Sequence, residues 1–444
     1  NILFVFADQW RAQATGYSGN PQVHTPNLDA FSQESFNFTH ALSGCPVCSP
    51  YRASLLTGQF PLTHGVFVND VCLNPGAQSL AKVFSESGYD TAYIGKWHLD
   101  GHGRSNYIPP GRRQGFNYWK VLECTHDYNH SPYYAGNSDE KLFWEGYDAE
   151  AQTRDAIDYL REHDQNHPFL LMLSWGPPHA PYHTAPGRFR RMYDPEAIQL
   201  RPNVPEEAAD AARRDIAGYY AHCSALDLCF GQLLESLEQQ GLAQHTLVVF
   251  TSDHGDMLGS QGNWKKQRPW DESIRVPFLL RWPERFGKGG RQLSATIDAP
   301  DLMPTLLGLC GLPIPETVEG QDFAGYMEGG EDPSGGGALL QCPQPFGQWI
   351  PERDGGREYR GIRTRRYTYA RSLAGPWLLY DNQQDPCQMN NLIGQPEHAG
   401  LADKLDAEVQ KRLDKLGDPF LPGMEYIRKW DYEVDHTGTV PYTD

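Results

Sequence analysis

Short apolar runs separated by helical patterns constrain this chain more than any other feature. Ile2–Phe6, Thr91–Ile94, Phe169–Ser174, Thr246–Thr251 and Pro277–Arg281 are rich in strand-forming side chains, the pattern of strands buried on both faces. Between them run stretches of helical period. The clearest, Pro205 to Gln240, keeps Ile216, Tyr219, Tyr220, Cys223, Leu226, Phe230, Leu233, Leu234 and Leu237 on one face until Gly241 stops it. Such alternation predicts an α/β fold, with helices on both faces of a mostly parallel central sheet. All five runs are expected to be parallel strands.

Ligand sites in open α/β sheets lie outside the carboxyl ends of the strands, so the residues just beyond each run carry the functional information. The first runs into Asp8-Gln9, the second into Gly95-Lys96-Trp97-His98, the third into Pro177-Pro178-His179-Ala180-Pro181, and the fourth into Asp253-His254-Gly255-Asp256. One edge of the sheet therefore gathers carboxylates, an amide, imidazoles and a lysine. Asp8, Gln9, Asp253 and His254 form an oxygen-rich donor set that suits Ca²⁺, while the imidazole keeps Mn²⁺ or Mg²⁺ open. Taken singly, an Asp-His pair in a loop is more often a cap or an ion pair, and it is the convergence that argues for a site.

The stretch Cys48-Ser49-Pro50-Tyr51-Arg52-Ala53-Ser54-Leu55-Leu56-Thr57-Gly58 places a cysteine ahead of a helix-favouring run, with an arginine one turn on. At a helix N-terminus the peptide dipoles and the Arg52 guanidinium both favour an anion, whether a thiolate or a bound oxyanion. Cys45 lacks the proline and arginine offsets and is expected to be structural. The Cys-x-Pro-x-Arg stretch with its Thr-Gly resembles the signature of the type I sulfatases of the alkaline phosphatase superfamily. That resemblance implies conversion of Cys48 to formylglycine by a maturation enzyme, giving an aldehyde hydrate whose hydroxyls attack sulfur and then expel sulfate. The likeness extends to Gly95-Lys96-Trp97-His98, to His179 in its Pro-His-x-Pro setting, to Ser252-Asp253-His254-Gly255, and to Lys266 ahead of Asp271.

Carried onto this chain, the resemblance gives Cys48 as nucleophile and fifth metal ligand, with Asp253 and the metal activating it. Arg52 and Lys96 fix it, His98 takes the proton of its second hydroxyl, and Lys266 and His179 contact the sulfate and protonate the leaving oxygen. The implied fold is an alkaline-phosphatase-like sandwich with a smaller C-terminal α+β subdomain. Two carboxylates against one divalent ion and three basic side chains leave such a pocket positive. Gln9, where many members have aspartate, and His254, where many have asparagine, also resemble the phosphonate monoester hydrolases of the same superfamily. The readings are therefore a sulfuric ester hydrolase acting on a saccharide, a phosphonate monoester or phosphodiester hydrolase, and a non-catalytic glycan-binding homologue.

Composition bounds the partners. At 444 residues with net charge -18, the chain lacks the basic balance expected for binding nucleic acid or an anionic membrane, and no apolar run is long enough to span a bilayer. Nine scattered cysteines argue for reduced core thiols rather than a disulfide framework. The chain opens on a strand pattern, so a secretion signal is expected to have been removed or never present: periplasmic or secreted in the first case, cytoplasmic in the second. The glycine-rich Glu328–Gly337 is the expected seam between a catalytic domain, 1–337, and a smaller domain, 338–444. Beyond it, Arg360–Ala370 and Trp377–Tyr380 read as exposed antiparallel strands, and Leu401–Leu416 as an amphipathic helix. The aromatic stretch Trp119–Tyr134 is either a sugar-stacking loop or a loop packed on the sheet, and the oligomeric state is not legible.

Overall fold

The computed structural model describes residues 1–443. A sheet of ten strands forms the centre: β1 (Ile2–Asp8), β2 (Phe36–Ala41), β3 (Asp90–Lys96), β4 (Tyr118–Leu122), β5 (Pro132–Ala135), β6 (Leu142–Phe143), β7 (Phe169–Pro178), β8 (Leu247–Ser252), β9 (Phe278–Arg281) and β10 (Arg291–Ile297). Their order is β10-β2-β9-β8-β1-β7-β3-β4-β5-β6. β1 lies in the middle, parallel to β7 and β8, and β3 and β4 continue the parallel set.

β1 shows why its residues are apolar at every position. Ile2, Phe4 and Phe6 point into one core and Leu3, Val5 and Ala7 into the other, all at most 1% exposed. The first core is covered by the helices Cys48–Thr57 and Ala299–Cys310, the second by Asp148–Glu162 and Ala209–Gln239. The long periodic stretch read from the sequence is thus one helix preceded by a 3₁₀ turn, Glu206–Ala208.

One of the five strand expectations is corrected. β9 runs antiparallel to both β8 and β2. A parallel return requires a crossover to the opposite end of the sheet, whereas the chain between Ser252 and Phe278 contains only a single-turn 3₁₀ helix and the four-residue helix Asp271–Ile274. It stays at the edge where β8 ended, wraps the site, and re-enters from there.

A second sheet of four antiparallel strands is built in sequence order: β11 (Gly337–Cys342), β12 (Tyr359–Thr364), β13 (Tyr367–Ser372) and β14 (Gly375–Asp381). Its strands are not exposed as the polar sequence suggested. Leu405, Val409 and Leu413 of the helix Ala399–Leu416 cover one face, and Leu42 and Ile274 pack on the other. The arginines are buried by pairing, Arg363 with both oxygens of Asp271 at 2.9 Å and Arg360 with Asp418 at 2.5 Å. The chain then returns to the first core, where Tyr426 and Tyr432 pack on Phe67. All nine cysteines are unpaired thiols. Among the described residues no helix is long and apolar enough to cross a membrane.

Candidate active site at the carboxyl edge of the sheet

Four parallel strands end side by side, and their last residues form a floor. Asp8, Cys48, Asp253 and His254 are all buried, with one ligand atom from each lying within 4.8 Å of the others. Cys48 opens the helix Cys48–Thr57, whose ten residues are all buried and which Gly58 closes at φ 68°. Its Sγ lies 3.3 Å from His254 Nε2, 3.6 Å from Asp8 Oδ1 and 2.8 Å from Lys266 Nζ.

Arg52, one turn along, ties the floor together. Its Nη1 donates to the Lys96 carbonyl (2.8 Å) and Ser174 Oγ (2.7 Å), and its Nη2 reaches Asp253 Oδ2 (3.2 Å) and Asp8 Oδ2 (3.5 Å). Lys96 Nζ donates to Asp8 Oδ2 at 2.5 Å. His254 Nδ1 faces the Gly255 carbonyl at 2.9 Å, which fixes that nitrogen as the protonated one and leaves Nε2 free to bind a cation. The turn needs glycine at 255, because a Cβ there would sit 2.0 Å from the Glu272 carbonyl oxygen.

Gln9 and His98 hold left-handed backbones, φ 72° and 58°, which non-glycine residues rarely adopt. Each is pinned by neighbours. The Gln9 N–H donates to Asp253 Oδ1 (2.9 Å) and its carbonyl accepts from Tyr219 Oη (2.7 Å), while the His98 N–H donates to the Glu123 carbonyl (2.9 Å). Gln9 Nε2 donates to Asp256 Oδ2 at 2.6 Å, and its Oε1 is buried without a partner. Two carboxylates, an imidazole and the side chain of position 48 converge within 4.8 Å, and the neighbouring Gln9 keeps an unpartnered buried oxygen, so the residues fit the implied metal.

The charges behave accordingly. Burial alone would raise the Asp8 carboxyl, but Lys96, His179, Lys266 and His254 hold it well below the usual carboxylate range. Asp253 is pushed up by burial and by Asp8, the mark of two carboxylates held close together. Burial and Asp8 also push the Cys48 thiol up, yet Lys266, Lys96 and His254 outweigh them and bring it well below the ordinary thiol range. Cys45, three residues earlier, is raised by burial instead, which separates a reactive position from a structural one.

Above the floor opens a cavity of about 440 Å³ lined by Cys48, Lys96, His98, His179 and Lys266, so the structure brings five of the six sequence-predicted catalytic residues into one space, with Arg52 in the floor beneath. His179 Nδ1 faces the Ala180 carbonyl (2.8 Å) and its Nε2 faces Lys266 Nζ (3.2 Å); burial, then Lys266, depress its pKa well below the imidazole range. His98 Nε2 lies 3.3 Å from Asp70 Oδ1. Burial would lower His98, but Cys124, Asp70 and Cys48 raise it to about 10.

Several residues of the site were not legible as such. Asp256 accepts from Gln9 Nε2 and Tyr182 Oη on one oxygen, and from the Leu258 (3.0 Å) and Lys265 (2.8 Å) N–H groups on the other. It joins the metal-side turn to the lysine turn. Its place two residues beyond the Asp-His pair was the available signal. Asp70, Arg104 and Arg268 come from loops with no pattern to mark them. Of Trp119–Tyr134, expected as a possible sugar-stacking loop, Trp119, Tyr128 and Tyr134 are buried in the fold and Tyr133 stacks on Trp144. Of that stretch, His126 lines the cavity, stacked on His179 at 4.8 Å.

Residues 1–312 match the sequence profile of the sulfatase family, and residues 259–415 match that of the C-terminal part of N-sulphoglucosamine sulphohydrolase. The chain is 45% identical to an ulvan-active sulfatase of Formosa agariphila, over 97% of its own length and 84% of the relative's. It is 33% identical to an endo-4-O-sulfatase of Bacteroides thetaiotaomicron, over 95% of this chain and 93% of that one. Among solved structures, a Bacteroides fragilis protein named sulfatase yidJ superposes with a TM-score of 0.86 at 32% identity, covering 96% and 97% of the two chains. A phosphonate monoester hydrolase of Agrobacterium radiobacter shares the fold, with a TM-score of 0.75 at 23% identity over the full length of both chains.

Proposed function

The chain belongs to the sulfatase family of the alkaline phosphatase superfamily, and from that premise we propose that it hydrolyses sulfate esters of a polysaccharide or its oligosaccharides. One observation carries the reading at residue level: Cys48 Sγ lies between an oxygen- and imidazole-rich cluster on one side and the Lys266 ammonium, 2.8 Å away, on the other. A sulfate monoester needs an activated nucleophile beneath the sulfur, cations about its non-bridging oxygens and a proton for the departing oxygen.

Residue 48, as formylglycine hydrate, supplies the nucleophilic oxygen, for which the thiol sulfur stands in here. Asp8, Gln9, Asp253, His254 and residue 48 would hold a divalent cation, which when bound would supply positive charge to the site. Arg52 keeps Asp8 and Asp253 in register, and Lys96 neutralises Asp8. At the cavity wall Lys266 Nζ faces the Nε2 of neutral His179, and the two side chains stand where they can contact the sulfate and supply the proton of the leaving oxygen. His98, opposite, is held by Asp70.

The ulvan-active sulfatase and the endo-4-O-sulfatase among the relatives support a sulfated polysaccharide as the substrate class. The test is a panel of defined sulfated saccharides assayed beside aryl phosphonate and phosphate diesters. Sulfate release from at least one saccharide, at kcat/KM well above that on the phosphonate, is expected. Faster phosphonate hydrolysis at a matched leaving group would overturn the assignment in favour of the phosphonate reading.

A further inference from the structure

Five cationic side chains line the catalytic cavity, Lys96, Arg104, Lys265, Lys266 and Arg268, and among the described residues no aspartate or glutamate lines it. In a chain of net charge -18 this is a strong local inversion. Three of the five are accounted for. Lys96 is paired with Asp8, Lys266 touches Cys48 and His179, and Arg104 is held by both oxygens of Asp70 at 2.9 and 2.8 Å.

Two remain without a carboxylate partner, although the Arg268 guanidinium lies over the Trp349 ring, 5.3 Å from its centroid. Arg268 is 4% exposed, and its donors reach only neutral acceptors: Asn263 Oδ1 (3.2 Å), the Lys266 carbonyl (2.5 Å) and the Gln348 carbonyl (3.2 Å). A buried guanidinium without a carboxylate is costly, and such charges persist where a counter-ion arrives. Lys265 is half-buried and its Nζ has no hydrogen-bond or ion-pair partner among the described residues. Burial, with Lys266 and Arg268 close by, disfavours its charge further.

The backbone is bent to present it. Lys265 and Gln267 both have left-handed φ, 63° and 75°, on either side of Lys266, and the Asp256 carboxylate holds the Lys265 N–H. Through this turn two consecutive lysines line one cavity, where an extended strand would send them to opposite sides.

We propose that Lys265 and Arg268 form a second anion-recognition element of this cavity, which selects saccharides bearing a further anionic group, carboxylate or sulfate, beside the sulfate ester that is cleaved. The inference rests on the hydrolase reading above. Lys266 serves the ester at the floor, and its neighbour serves the adjoining unit.

The test compares four substrates on the mature enzyme: an aryl sulfate, a neutral disaccharide monosulfate, the same disaccharide with a uronate carboxylate, and its disulfated form. Wild type should favour one of the dianionic disaccharides over the neutral one by at least tenfold in kcat/KM, and which one it favours identifies the anion. Lys265→Gln should lose most of that preference through KM, falling at least fivefold further on the favoured disaccharide than on the aryl sulfate, and Lys265→Arg should restore it. Equal losses on all substrates would make Lys265 a ligand of the scissile sulfate and overturn the proposal, as would a wild type without preference. Absence of turnover on every sulfate ester would strike the hydrolase reading itself, and this inference with it.

Discussion

The floor and the rim of the catalytic cavity are built on opposite plans. The floor takes two carboxylates and an imidazole, each 0% exposed, from the ends of β1 and β8, and compensates them internally through Arg52 and Lys96. At the rim, loops distant in sequence supply Lys265, Arg268, Phe346, Gln348, Thr439 and Tyr442, with cationic charge left over. A rigid sheet edge fixes reacting groups to fractions of an ångström, while loops can vary without disturbing it. In the reading proposed above, the chemistry would rest on strand ends and one buried helix, and the selectivity on turns.

The largest effect expected from this contrast lies in the floor. Cys48→Ser retains one hydroxyl but not two, so it should accept a single sulfuryl group from a reactive aryl sulfate and stop, with turnover lower by about 10⁴-fold or more. Mass spectrometry of the peptide carrying position 48 would show the adduct; sustained turnover without it would end the formylglycine reading. Asp253→Ala should lose bound metal and about 10³-fold in rate while circular dichroism stays native. A variant that keeps both metal and rate would show that the floor is not a metal site.

An intermediate effect belongs to the wall between floor and rim. The Glu123 carboxylate accepts the N–H groups of Leu99 (3.3 Å), Asp100 (2.8 Å) and Gly101 (3.0 Å), and so positions the turn after His98. Burial, only partly offset by His98, raises it from 4.5 to about 7. A folded-state value above the unfolded one means that the folded chain binds the extra proton. Stability from this group is therefore complete below pH 4.5 and is lost as pH rises through about 7, by about 3 kcal/mol. Glu123→Gln should flatten that slope in melting temperature against pH; an unchanged slope would place its origin elsewhere. The smallest effect, roughly tenfold and confined to anionic saccharides, is that of Lys265→Gln at the rim.

The same contrast explains how much could be read beforehand. Asp8, Lys96, His98, His179, Asp253 and His254 each come directly after an apolar run, so strand geometry alone carries them to one edge. The direction of β9 escaped because periodicity marks a buried strand without saying from which end the chain enters it. The second sheet looked exposed because its arginines carry no mark of the aspartates, Asp271 and Asp418, that neutralise them. Nor could the rim be read, since Arg268 and Tyr442 meet only through tertiary packing. Lys265 lines the cavity beside Lys266 because of a backbone angle that no side-chain pattern announces.

The burial of the helix Cys48–Thr57 also sets an order in time. Cys48 is 1% exposed, and all ten residues of its helix are buried. No second protein can grasp that segment once the sheet has closed over it. If Cys48 is converted as proposed, the enzyme that oxidises it would have to meet the segment while it is still extended, in competition with the folding of the domain. Each molecule would then keep the side chain it had at closure. The active fraction of a preparation would be decided during synthesis, and molecules that folded too early could be recovered only by being unfolded again.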